Sequence, residues 1–336
     1  MKAAVLYGKG DVRVEEREVP RPAEGEALVR IRACGVCGTD AALFRGEYPA
    51  AVPVVIGHEF AGEVVESRTP ALRPGDRVTA DPNVICHECE YCRTGLEHLC
   101  ERASSMGVHR DGADAEYCAL PASNLYRFPD SLSFEEAAFA EPLACAAHGV
   151  DLAGVRLGDT VLVVGAGAMG NLIAQCARIS GAARVVVSEP IALRREKALE
   201  NGATDAIDPG ATDLGAELRK IRRLGADVVF EVAGSPAAQA ACVGLARKGG
   251  TVVWFGVAPP ARRVEVSSFY VNENEVRITG SYNNQFATER AVRLLAERKV
   301  KVANLVSHRF RLSEYPAVFG AFGGKDTLKL MVDTGA

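Results

Sequence analysis

The apolar stretch 161–164 runs directly into Gly165-Ala166-Gly167-Ala168-Met169-Gly170, and a helical pattern follows over 168–179. A G-x-G-x-x-G run alone is a weak signal. Between a strand and a helix it dictates a tight turn, a backbone bare enough for a pyrophosphate to approach, and a helix N-terminus aimed at that anion. Gly165, Gly167, Ala168, Met169 and Gly170 are therefore the expected dinucleotide cradle. Glu189 ends the next strand, where a carboxylate accepts the adenine ribose hydroxyls and repels a 2′-phosphate, which predicts NAD in preference to NADP. Arg194 and Arg195, just beyond, offer the charge that would hold such a phosphate and keep NADP open.

The rhythm of strand and helix continues through 184–187, 191–200, 228–231, 236–247 and 251–255 to a last strand at 276–281, the pattern of a doubly wound parallel sheet. The chain ahead of it differs. Short alternating strands at 3–7, 12–19, 27–33, 61–66 and 77–80 are broken by Gly and Pro, and Ser133 and Glu136 are spaced as a capping box opening a helix over 134–150. Helical patterns at 288–298 and 313–322 and a strand at 327–332 make a tail too short for a domain of its own. The expected organisation is α/β, with a β-rich domain over 1–150 completed by 285–336 and a Rossmann domain over 151–284. A chain of 336 residues, 48% of them hydrophobic, can fill two such cores.

The ten cysteines divide by spacing. Cys86, Cys89, Cys92 and Cys100 follow one another closely enough for a single loop to wrap a tetrahedral zinc with no open position, which is a structural site. His87 and His98 lie inside that loop and are expected in a supporting or surface role. Cys37, His58 and Glu59 come from separate loops and combine one soft, one borderline and one hard donor, a set that leaves room for a substrate oxygen. Glu141, ahead of an apolar helical face, is either a further ligand or a carboxylate at a helix start. Zinc in an open site acts as a Lewis acid and lowers the pKa of a bound alcohol. Two zinc ions per chain are expected. Cys34, Cys118, Cys145, Cys176 and Cys242 read as small buried hydrophobes.

On these landmarks the chain resembles the zinc-containing medium-chain dehydrogenase/reductase superfamily, in the branch of sorbitol, xylitol, threonine and butanediol dehydrogenases. The residues that carry the resemblance are Cys37-Gly38-Thr39-Asp40, Gly57-His58-Glu59, the four-cysteine lobe, Glu141-Pro142-Leu143, Gly165 to Gly170 and Glu189. The resemblance implies a GroES-like catalytic domain built from both chain ends with a Rossmann domain between them. It implies Cys37 and His58 as catalytic zinc ligands, with Glu59 and Glu141 supplying carboxylate contacts directly or through water. Thr39 would take the alcohol proton, Asp40 would orient His58, and the backbone near Phe255 and Ser281 would face the nicotinamide. It also implies a homotetramer or homodimer paired at the edge strand over 276–281.

Some positions depart from that pattern. Ala42 stands where a relay histidine is usual, Leu43 where sorbitol dehydrogenases carry a tyrosine, and Asn283 in place of their substrate-binding arginine. Tyr48, Tyr282, Asn283 and Asn284 remain as hydroxyl-reading candidates. The net charge of −4 is small and its basic residues are scattered, so no nucleic-acid or membrane partner is expected. The first residues lead into a strand rather than a signal peptide, and the cytoplasm is the expected location. The chemistry expected is oxidation of a secondary alcohol on a polyol, sugar or cyclitol, with threonine or a vicinal diol such as butanediol as the alternative substrate. A non-catalytic nucleotide-binding redox sensor is the alternative of another class, and intact Cys37, His58 and Glu59 speak against it.

Overall fold

The computed structural model describes residues 1–335. They form two compact units, one of Met1–Ala144 together with the segment from Gln285 onward, the other Cys145–Asn284. The first division therefore falls inside the helix Ala140–Ala153 rather than after residue 150.

The second unit is a six-stranded parallel sheet. Its order across the sheet is Asp205–Ile207, Arg184–Ser188, Thr160–Val164, Ala226–Glu231, Ala246–Trp254 and Arg277–Gly280, the doubly wound order that reverses beside the first strand. Val161 pairs with both Val185 and Val228, and all three are buried, as expected of strands covered on both faces. The helix expected over 236–247 stops at Val243, because Ala246 already pairs with Ala226 as a strand. The strand Asp205–Ile207 and the helices Leu214–Ile221 and Ser268–Asn274 complete the unit and were not foreseen.

In the first unit, Glu26–Val36 is the long central strand of a seven-stranded sheet, flanked by Glu59–Ser67 on one side and Lys329–Asp333 on the other. Its one face packs Val29 and Ile31 against Phe60, Val64, Val78 and Leu120. A second core joins Leu6, Val36, Leu43 and Ile56 to Leu312, Tyr315, Val318, Leu330 and Val332, so the tail supplies core side chains to the unit that the N-terminal strands begin. The tail is also held electrostatically, with Arg309 gripping the Glu135 carboxylate at 2.6 and 2.8 Å.

The single helix expected over 134–150 is two, Phe134–Ala138 and Ala140–Ala153. The capping box at its start is formed, with Ser133 Oγ accepting from the Glu136 N–H at 3.1 Å and the Ser133 N–H donating to the Glu136 carboxylate at 2.8 Å. The break comes at Phe139, whose N–H bonds back three residues to Glu136 at 3.2 Å and whose ring is buried.

Replacing Leu330 by Ala removes a fully buried side chain where the tail strand meets the N-terminal core. The expected loss in denaturant unfolding is about 2–5 kcal/mol; an unchanged unfolding curve would mean that the tail does not stabilise this unit.

Candidate metal centres and cofactor cradle

Strand register assembles the first cluster. Across the sheet Gly35 faces Glu59 on one neighbour and Met331 on the other, so the end of the central strand, the start of Glu59–Ser67 and the start of Lys329–Asp333 lie side by side. A Cβ on Gly35 would fall 2.5 Å from Glu59 Oε2 and 3.0 Å from Lys329 Cε, so only glycine leaves this space open. Two residues later Cys37 caps the short helix Gly38–Phe44, and its N–H donates to Asp40 Oδ2 at 2.8 Å. Asp40 Oδ1 lies 3.5 Å from His58 Nδ1, which leaves the other ring nitrogen for a ligand. Ligand atoms of Cys37, His58 and Glu59 all lie within 4.8 Å of one another.

The electrostatics of this cluster call for a cation. Burial opposes charge on His58, yet Asp40 and Cys37 outweigh it and raise its pKa well above the ordinary imidazole value. Lys329 answers part of that demand. Its ammonium pairs with the Glu59 carboxylate and donates to the Val36 carbonyl at 3.2 Å. Burial works against the ammonium, but Glu59 and Cys37 raise its pKa above that of a free lysine. The donor set, one thiol, one imidazole and one carboxylate, fits zinc with an open coordination position. Thr39 Oγ1 is 3.7 Å from the Cys37 sulfur. Glu141 is buried in the first turn of Ala140–Ala153 and does not join the mutually close set.

The second cluster is self-contained. Residues Asn83–Val84 and Ser104–Ser105 pair as its stem, and the loop between them carries the four cysteines. Sulfur separations are 3.4 Å for Cys86–Cys100, 3.6 Å for Cys89–Cys92 and 3.9 Å for Cys86–Cys92. A tetrahedral ZnS4 centre has sulfurs about 3.8 Å apart, from Zn–S bonds of about 2.3 Å. Backbone N–H groups of Glu88 and Cys89 point at the Cys86 sulfur and lower its pKa to about 6, whereas burial and the adjoining thiols push Cys92 up to about 12. Four sulfurs this close ionise together only around a cation, and no disulfide joins any of them. His87 lies in the left-handed region at φ 59°, a turn residue of this loop.

In the Rossmann unit Gly165 has φ +102°, and a Cβ on Gly170 would meet the Gly165 carbonyl oxygen at 1.9 Å. Both glycines are thus fixed by the turn. Gly167 is different: it caps the helix Ala168–Ile179, and a Cβ there meets nothing within 4 Å. The helix therefore opens onto free space with the first-turn N–H groups of Ala168 and Met169 facing it, as a pyrophosphate requires. The Glu189 carboxylate is tied to the same turn, accepting from the Ala166 N–H at 2.9 Å and the Ile191 N–H at 3.1 Å. Beside it a largely apolar cleft of about 430 Å³ is lined by Gly165, Glu189, Ile191, Arg194 and Ala241, among others. Arg195 turns away and bonds the Glu189 carbonyl oxygen and Asp208. Phe255 and Ser281 meet across Gly149, the ring and the hydroxyl lying 3.0 and 3.3 Å from where its Cβ would stand.

Leu43 is buried in the first unit's core, and Tyr48 packs against that core. Tyr282 is exposed, and Asn284 is buried. Two groups have no sequence signal at all. One is Lys329. The other is Asp114 with Tyr315, fully buried and hydrogen-bonded at 2.6 Å, where burial and then the Asp40 charge push the Asp114 carboxyl well above the carboxylate range.

The chain matches the family models of the alcohol dehydrogenase GroES-like domain over residues 23–130 and of the zinc-binding dehydrogenase over residues 168–297. The chain belongs to the zinc-dependent medium-chain dehydrogenase/reductase superfamily. It is 33% identical to a sorbitol dehydrogenase of Halalkalibacterium halodurans, with 99% of each chain covered. It is 32% identical to D-arabinitol dehydrogenase 1 of Uromyces fabae over 98% of this chain and 96% of that one. A Sinorhizobium meliloti zinc-binding dehydrogenase crystallised with NADP superposes with a TM-score of 0.96 at 38% identity, covering 99% of this chain and 98% of that one. This dehydrogenase is thus a zinc enzyme that uses NAD(P), with a GroES-like and a Rossmann-like part. Among the described residues no helix is long and apolar enough to cross a membrane.

The Glu59–Lys329 pair yields a testable asymmetry. Lys329→Met strands a buried carboxylate and is expected to cost about 3–5 kcal/mol in the metal-free protein. Adding Glu59→Gln should recover most of that loss in a double-mutant cycle; additive losses would show that the two side chains do not depend on each other.

Proposed function

We propose that this dehydrogenase oxidises a secondary alcohol of a polyol, sugar or cyclitol to the ketone, with NAD as hydride acceptor and one proton released. The observation that carries the reading is the convergence of Cys37, His58 and Glu59 at one sheet end with the Thr39 hydroxyl beside the Cys37 sulfur. Zinc, when bound there, supplies Lewis-acid polarisation of the alcohol oxygen. Cys37, His58 and Glu59 hold it, with Glu141 as a further carboxylate within the same unit. Asp40 fixes the His58 ring. Thr39 accepts the alcohol proton, and because Ala42 carries no titratable group the proton leaves by the cofactor ribose and water. Cys86, Cys89, Cys92 and Cys100 hold the second zinc.

Gly165, Gly167, Ala168, Met169 and Gly170 seat the pyrophosphate, Glu189 and Arg194 border the adenosine, and the backbone near Phe255 and Ser281 faces the nicotinamide. Glu189 supports NAD over NADP, because a buried carboxylate beside the ribose disfavours a further phosphate. The substrate class draws support from relatives named for two open-chain polyols, sorbitol and D-arabinitol. The exposed edge strand Arg277–Gly280 supports pairing of two Rossmann sheets in a homodimer or homotetramer. Ten cysteines without a disulfide agree with a cytoplasmic location.

The experiment is NAD reduction, followed by nicotinamide absorbance, over polyols, cyclitols, aldoses, threonine, butanediol and simple alcohols, with and without a zinc chelator. Chelator-sensitive turnover concentrated on polyhydroxylated substrates is expected, and turnover confined to threonine or to simple alcohols would overturn the substrate class. Glu189→Gln keeps an acceptor for the Ala166 N–H but removes the charge. The ratio of kcat/KM with NAD to that with NADP should fall about tenfold, the order of one charge-assisted hydrogen bond; an unchanged ratio would remove Glu189 from coenzyme choice.

A further inference from the structure

We infer that Tyr315 and Asp114 are positioning residues of the catalytic zinc centre, a buried hydroxyl–carboxyl pair that fixes the backbone at Gly57 and thereby the place of His58. The inference rests on the reading of Cys37, His58 and Glu59 as zinc ligands.

A buried carboxyl group is an expensive filler, since an apolar side chain of similar volume occupies a core without a desolvation penalty. Asp114 is nevertheless fully buried, together with Tyr315, Asp40 and Cys34. Its surroundings show what it does. The Tyr315 hydroxyl donates to Asp114 Oδ2 at 2.6 Å, from a helix at the far end of the chain. That carboxyl is pressed against Gly57, where a Cβ would lie 2.5 Å from Oδ2, 2.6 Å from Cγ and 2.7 Å from the Asp114 nitrogen.

The backbone completes the clamp. Gly112 donates to Val55 at 2.7 Å, Ala113 to Gly57 at 2.9 Å and Asp114 to Ile56 at 2.8 Å, so this segment is laced along the three residues that lead into His58. Gly57 itself has φ +91°, a left-handed conformation that only glycine adopts without strain. The chain thus reaches His58 through a turn whose wall is the Asp114 carboxyl, and Tyr315 keeps that wall in place. On the other side of His58, Asp40 holds the ring and the Cys37 N–H. Two buried carboxyl groups therefore bracket the ligand, one 3.5 Å from its ring nitrogen and bonded to the neighbouring Cys37 N–H, the other setting the backbone that carries it. Outer partners of metal ligands typically change metal affinity by about 10- to 100-fold when removed.

The test is zinc release from the holoenzyme to a chromophoric chelator, with total zinc counted and with the visible spectrum of protein carrying cobalt at the catalytic site as a second readout. Wild-type protein is expected to hold two zinc ions; a single one, in the four-cysteine lobe, would remove the catalytic-zinc reading and this inference with it. With two present, Tyr315→Phe and Asp114→Leu should each weaken the catalytic zinc about 10- to 100-fold, shift the cobalt spectrum and leave the four-cysteine zinc unchanged. Asp114→Asn, which still accepts from Tyr315, should stay within about threefold of wild type. Wild-type affinity and spectrum in Tyr315→Phe and Asp114→Leu would overturn the inference while leaving the zinc reading intact. Equal weakening of both zinc ions in those variants, or Asp114→Asn behaving like Asp114→Leu, would equally overturn it.

Discussion

One absent side chain determines how the reactive end of this molecule is built. Gly35 sits between Glu59 and Met331 in the sheet register, and the space it leaves is taken by the Glu59 carboxylate and the end of the Lys329 side chain. Any larger residue would push both from the strand end where Cys37 and His58 arrive. The central strand is thus continuous enough to give a core and bare enough at its end to give a site. Because Lys329 belongs to the returning tail, packing of the C-terminal segment and charge balance at the cluster are the same structural event.

The two cysteine-bearing clusters show how the same element is used for opposite ends. The lobe of Cys86, Cys89, Cys92 and Cys100 draws all its donors from one short loop, and backbone N–H groups are spent on its sulfurs. Nothing is left for a substrate. The other cluster draws one donor from a helix cap, one from a turn and one from a strand, and its hydrogen bonds go to orienting the donors rather than closing the shell. Sheet strands and buried acids set the positions of these three donors, which suits a zinc site with an open position of the kind Lewis-acid chemistry needs.

Much of this was legible in the sequence, for reasons of locality. The four-cysteine lobe, the glycine turn and the capping box at Ser133 are encoded within a few residues, so spacing alone reveals them. The helix Ala168–Ile179 and the strand Arg77–Ala80 have the expected limits because periodicity and breakers agree there. Less legible were elements whose identity depends on partners. Val306–Arg311 carries four polar residues in six and becomes a strand by pairing in parallel with Lys329–Asp333. The break at Phe139 comes from where its ring is buried, not from any helix breaker. Leu43, which stands where sorbitol dehydrogenases carry a tyrosine, is a core side chain, and that too follows from its partners rather than its neighbours in sequence. Lys329, Asp114 and Tyr315 left no local trace, since each acts on a residue distant in the chain, and a lone lysine, aspartate or tyrosine has no spacing to read.

In the proposed enzyme five thiolates serve two unlike zinc centres, four in one and one in the other. Zinc-edge X-ray absorption of the holoenzyme measures it directly, by counting the sulfur and nitrogen or oxygen neighbours averaged over both metals. Four-coordinate zinc at both sites predicts about two and a half sulfurs per zinc at about 2.3 Å and about one and a half lighter donors at about 2.0–2.1 Å, with two zinc ions per chain. A shell of four sulfurs alone would contradict it, because Cys37, His58 and Glu59 would then hold no metal.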